Sequence, residues 1–186
     1  LKEMVAYAKA NPGKLNYGSA GVGHVFHLGL EMFSQRAGIQ LTHVPFKGIA
    51  PASLEFSAGR IELMFSAATG PIMALSKAGK IHALVGGADK RMRSLPDVPN
   101  FAEAGFPGMD VPNWIGLLAP AGLAPDLIAR LNREMIRALA APEVSRFYEA
   151  QSYVIDTSTP EQFTRKIARE LDAWGPLIRG LGITLE

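Results

Sequence analysis

Residues 15–33 read Leu15-Asn16-Tyr17-Gly18-Ser19-Ala20-Gly21-Val22-Gly23-His24-Val25-Phe26-His27-Leu28-Gly29-Leu30-Glu31-Met32-Phe33. Leu15 to Tyr17 predicts a short strand, and Gly18 to Gly23 a glycine-rich turn. Beyond it Val25, Leu28 and Met32, with Phe26, Leu30 and Phe33, recur at helical spacing until Gly38 stops the pattern. A strand that turns through glycine into an amphipathic helix is the first half of a βαβ unit. The flanks repeat the rhythm. Downstream, Ile39 to Phe46 is extended, Pro51 to Ala58 is a short helix with Pro51 in its first turn, and Arg60 to Phe65 is a strand. Pro71 to Ala78 follows as a helix closed by Gly79, then Ile81 to Val85 as a strand. Upstream, Lys2 to Ala10 is a helix stopped by Asn11-Pro12-Gly13. The expectation is an α/β fold on a parallel sheet.

Further out the character changes. Arg91 to Pro112 carries Pro96, Pro99, Pro107 and Pro112 and reads as a wrapping connection around a short helix, Phe101 to Ala104. Val111 to Leu118 is a final extended segment. Then Leu127, Leu131, Met135 and Leu139 form one helical stripe, and Phe163, Ile167, Leu171, Trp174 and Ile178 another. Thr159, Pro160 and Gln162 predict a capping box at the start of the second helix. Only a short strand, Tyr153 to Ile155, is expected between them. Two amphipathic helices and one strand make no sheet of their own, so this tail needs something to pack on.

Composition narrows the function classes. With 48% hydrophobic and 19% charged residues the chain folds rather than remaining disordered. Nineteen Lys and Arg against 17 Asp and Glu leave a formal charge of +2. The densest basic cluster, Lys90, Arg91 and Arg93, is too short for several aligned phosphate contacts, so no nucleic acid partner is expected. The uncharged stretches Leu63 to Ser76 and Val111 to Pro125 are broken by Gly and Pro and fall short of the ~18 residues that span a bilayer. The absence of Cys removes disulfides, thiolate nucleophiles and cysteine metal sites. The opening Leu1-Lys2-Glu3-Met4 has neither an initiator Met nor the layout of a secretion signal, and the numbering is expected to begin inside a longer gene product.

The glycine-rich turn offers chemistry of its own. Backbone N–H groups and the helix dipole at a strand-to-helix turn favour an anion. Gly18, Gly21 and Gly23 do not make the dinucleotide fingerprint, and no phosphate-binding GK[ST] follows. The functional reading is capture of a carboxylate or phosphate by Ser19, the amides from Ala20 through Gly21 to Gly23, and His24; the alternative is an ordinary tight turn. His24, His27 and Glu31 lie near one helical face, but their spacing is not that of a metal-binding HExxH, and no metal or cofactor is expected. Ser19 lacks the glycine two residues earlier that a nucleophile elbow needs, and nothing fixes a partner for His43. Trp114 reads either as packing with its indole N–H bonded or as a cleft wall.

Several segments in order carry a resemblance: KLNYGSAGVG with His27-Leu28, THVPFKG with APA (Thr42 to Ala52), RIELMF (Arg60 to Phe65), AGKIHAL (Ala78 to Leu84), LPDVPNFAEAGFPG (Leu95 to Gly108) and WIGLLAPAGLAPDLIARLN (Trp114 to Asn132). In these the chain resembles the Bug or TctC-type solute-binding proteins of tripartite tricarboxylate transporters. The resemblance implies a type II periplasmic-binding-protein-like fold, two lobes that close around a small carboxylated solute, a periplasmic location and delivery to membrane permease subunits. It implies no enzymatic activity and that the Gly18 to Gly23 loop donates to the ligand carboxylate. Residues 1–118 would be the second, ligand-binding lobe, and 119–186 a helical segment that normally packs on a first lobe whose earlier stretch this chain lacks. Three positions depart from the family pattern. His24 stands where Ser or Thr is usual, Ser66 where Asp commonly ends the motif after Arg60, and Phe46 for Tyr. Ser66 and His24 are therefore expected to shape the solute preference. Exposed stripes on the tail lead to the expectation of self-association. The competing classes are a small α/β hydrolase or transferase using His24 or His43 as base, and a ligand-sensing domain.

Overall fold

β1 (Asn16–Ser19), β2 (Thr42–Pro45) and β3 (Leu63–Met64) form a parallel sheet in the order β2-β1-β3, with Tyr17 opposite both His43 and Leu63. The computed structural model describes residues 1–109, 111, 113–150 and 153–182. Pro112 of the proline-rich connection and 183–186 of the C-terminal segment lie outside them. The chain separates into two units, Leu1–Asn113 together with the residues from Leu177 on, and Trp114–Pro176.

In the first unit the central strand is covered on both faces, as a parallel sheet requires: Tyr17, Gly18 and Ser19 are all buried. The helices are α1 (Lys2–Ala10), α2 (Val25–Ala37), α3 (Ile49–Ser57) and α4 (Gly70–Lys77). α2 begins where the period changes and ends at Gly38 in the left-handed conformation. Its buried face carries Phe26, Leu28, Leu30 and Phe33, and the Phe33 ring meets Phe101 and Phe106 at 5.6 and 5.1 Å. Gly29 lets the helix approach closely: a Cβ there would lie 2.8 Å from Val111 Cγ1 and 3.0 Å from the Phe65 ring.

Two expectations in this unit are corrected. Ile81 to Val85 forms no strand; an isolated bridge, Gly86 to Asn100, follows it. A strand needs an edge, and β3 is only two residues long. Phe101 to Ala104 is a turn rather than a helix. Its start is helix-like, because Asn100 Oδ1 accepts from the Glu103 amide while Glu103 Oε2 accepts from the Asn100 amide. Gly105 at φ 96° and then Pro107 stop it before a second turn forms.

The second unit is helical, with α5 (Pro125–Leu139), α6 (Pro142–Ala150) and α7 (Pro160–Gly180), the last running on past Pro176. The capping box is present. Thr159 Oγ1 accepts from the Gln162 amide at 3.2 Å, and Gln162 Oε1 accepts from the Thr159 amide at 2.9 Å. α6 was not expected, although Pro142 and Glu143 are suitable first-turn residues. Tyr153 to Ile155 makes no strand; the Tyr153 amide instead donates to Tyr148 O, closing the end of α6.

Candidate functional site

The order β2-β1-β3 means that the chain leaves β1 in one direction and returns across it in the other. The loops after β1 and β3 then flank the switch point at the carboxyl edge of the sheet, where α/β folds bind ligands. The loop after β1 is residues 20–24, and Ser66 lies two residues past β3. Sheet order thus brings to one edge two segments that sequence separates widely.

The loop is anchored atom by atom. Ser19, 0% exposed, bonds through Oγ to His43 Nε2 at 2.7 Å, accepts from the Gly21 amide at 3.2 Å and lies 3.0 Å from Gly21 O. One proton assignment satisfies all three contacts: the hydroxyl donates to Gly21 O and accepts from His43 Nε2–H and Gly21 N–H. The Gly23 amide donates to His27 Nδ1 at 3.1 Å, the Phe26 amide to His24 Nδ1 at 3.2 Å, and the His24 amide to Gly21 O at 3.3 Å. On the other side, Phe46 and Gly48 donate to Ser19 O and Ala20 O. Gly21 at φ 136° and Gly23 at φ 77° allow the chain to reverse within this net. The Gly21, Gly23 and His24 amides are thus taken up inside the protein. Among the described residues, those of Ala20, Val22 and Val25 have no protein acceptor.

Behind the loop lies a stack of rings. His27 and His43 stack with centroids 4.0 Å apart and planes 14° apart, and Tyr17 stacks on His43 at 4.8 Å. The Tyr17 hydroxyl donates to Glu31. Burial, then the hydrogen bond and charge of Glu31, push the Tyr17 phenol far above its ordinary value. Burial, and next the neighbouring His27, push His43 down to about 4. Burial also lowers His24 and His27, Glu31 opposing it at His27. All three imidazoles are therefore neutral at pH 7. With Nδ1 of His24 occupied by an amide, its proton is on Nε2, leaving one N–H donor at the start of α2.

These contacts decide among the chemistries. The Ser19–His43 distance is that of a nucleophile and base, but a fully buried hydroxyl whose donor and acceptor positions are filled is a structural link. His24 and His27 each use Nδ1 on a backbone amide, and no group of three His, Asp or Glu is placed to hold a metal among the described residues. Ser66 is half-buried with its hydroxyl on Ala67 O at 3.1 Å. In the second unit Trp114 donates to both Glu170 oxygens at 2.8 Å and meets Phe163 edge-on at 5.1 Å, which is packing with the indole N–H bonded. Sequence reading did not anticipate the pairing of His43 with Ser19 or of Trp114 with Glu170; these partners are 24 and 56 residues apart.

Comparisons with known proteins agree with one another. The family described as tripartite tricarboxylate transporter family receptor, TctC, matches residues 1–183. A Pseudomonas sp. (strain P51) relative, the UPF0065 protein in the tcbD-tcbE intergenic region, is 34% identical over 96% of this chain and 53% of its own length. Among solved structures, Rpa4515 of R. palustris with adipate superposes with a TM-score of 0.86 at 28% identity, covering 99% of this chain and 61% of that one. MatC of Rhodopseudomonas palustris with bound malate does so at 0.82 and 28%, covering 96% and 61%. The chain thus spans about half the length of the curated relative.

Proposed function

Because the chain belongs to the tripartite tricarboxylate transporter receptor family and its structural neighbours are solute-binding proteins rather than enzymes, we propose that it captures a small carboxylate at the loop after β1. The observation that carries this reading is the set of unpaired amides of Ala20, Val22 and Val25 at the carboxyl edge of a parallel sheet and the start of a 13-residue helix. Charge-assisted N–H bonds to a carboxylate are shorter and stronger than neutral ones, and the helix dipole adds to them. His24 contributes its Nε2–H as a further donor, and Ser66, its hydroxyl turned to Ala67 O, puts a neutral side chain where a carboxylate would repel an acidic ligand. Ser19, Gly21 and Gly23 serve by shape, since their polar groups are engaged within the loop. The adipate and malate of the two neighbours support a dicarboxylate as the first class to try.

On this reading residues 1–118 are the second lobe and 119–186 the segment that returns to the first. The whole protein works in the periplasm and hands its solute to membrane permease subunits, and the present chain self-associates through the tail. No helix among the described residues is long and apolar enough to cross a membrane.

Amide NMR during titration with adipate, malate and citrate tests the site. Shifts concentrated at Ala20, Val22 and Val25, absent with the dimethyl ester of adipate, are expected. Saturating acid that leaves these three amides unmoved overturns the reading.

A further inference from the structure

The loop has two glycines, Gly21 and Gly23, so an isolated version would be mobile and would lose that freedom on binding an anion. In this chain the ordering is already built in. His27 reaches the Gly23 amide from α2, and His43 reaches Ser19 from β2; Ser19 in turn holds the Gly21 amide. Neither ring is free to swing, because the two stack at 4.0 Å, Tyr17 of β1 stacks on His43, and Glu31 holds the Tyr17 hydroxyl. Tyr17, Ser19 and His27 are buried and His43 and Glu31 half-buried, so the network is a partly buried one whose members satisfy each other.

We propose that His27 and His43 are positioning residues of the anion loop: as a stacked pair drawn from two elements, they fix the Gly23 and Gly21 amides inward and leave those of Ala20, Val22 and Val25 unpaired for a ligand. The proposal rests on the carboxylate reading of the loop, but the latch itself is a separate physical claim. It requires His27 Nδ1 to accept a hydrogen bond, which a side-chain carbonyl can imitate. Asn places Oδ1 near that position, Leu places nothing, and the Gln amide reaches the position of Nε2 in His43.

Amide hydrogen exchange and titration with malate and adipate are read on the same variants. In His27→Leu the Gly23 amide is expected to lose about tenfold in protection and dicarboxylate affinity to fall about tenfold, the worth of one buried bond to a backbone donor. His27→Asn restores both. Ser19→Ala, which removes one atom and keeps the stack, releases the Gly21 amide in the same way, whereas His43→Gln keeps it. Protection of the Tyr17 amide in β1 shows that each variant is folded. Unchanged exchange at Gly23 in His27→Leu and at Gly21 in Ser19→Ala overturns the proposal. So does a folded His27→Asn that exchanges as fast as His27→Leu. If the unmutated chain binds neither acid, the carboxylate reading fails and the exchange data alone decide the latch.

Discussion

Phe33 on α2 and Leu171 on α7 are both large apolar residues on one stripe of an amphipathic helix, yet Phe33 is 2% exposed and Leu171 68%. A stripe becomes a core only when another surface covers it. α2 packs against β1 and the Phe65, Phe101 and Phe106 rings, whereas none of the described residues of α5, α6 or α7 is buried. Definition in the second unit comes from polar pairs: the Thr159–Gln162 cap, the Trp114–Glu170 bond and the Asn132 side-chain Nδ2 donating to Ser158 O. A ligand loop needs the first kind of order, because its amides must be held where the ligand will meet them.

The largest effect should come from the covered stripe. Phe33→Ala leaves a cavity beside the Phe101 and Phe106 rings and is expected to cost about 3–5 kcal/mol in urea unfolding followed by far-UV circular dichroism. A cost near that of an exposed site would mean that the first unit is as open as the second.

Acid should separate the two regions next. In the unfolded chain His43 takes up its proton near 6.5, and in the folded one only near 4. Between those values the unfolded state binds more protons, so stability is fully present above 6.5, declines as pH falls and levels off below about 4. His27, lowered in the same direction by burial, adds to the slope. All four His belong to residues 24–82, and both Trp, Trp114 and Trp174, to the second unit. The acid transition should therefore appear in the NMR signal of the Tyr17 amide in β1 before it appears in Trp fluorescence, and His43→Gln should flatten it. Coincident transitions would show that the units unfold as one.

This contrast also explains what the sequence revealed. The β1–loop–α2 passage was legible because two periods meet at glycines within one window, and the Thr159–Gln162 box because its partners are three residues apart. Ile81 to Val85 misled because β-branched composition describes a strand's surface and says nothing of a neighbouring edge. α6 went unseen because at nine residues it offers too few turns for a helical period to stand out. At the site, spacing located a loop rich in N–H donors but not which donors were already taken: the Gly21 amide depends on Ser19 and, through it, on His43, and only sheet pairing brings Tyr17 opposite His43.

The smallest expected effect is also the most discriminating. Leu171→Ala, at a side chain with little to lose, should change stability by less than about 0.5 kcal/mol in dilute solution. Self-association through the tail would bury the same stripe, so the cost should then grow as protein concentration is raised, and light scattering should show a larger species that the substitution reduces. A cost that stays small at every concentration, with a constant scattering mass, leaves the stripe uncovered in solution. The difference between Phe33 and Leu171 would then be a property of the single chain, and self-association would be excluded.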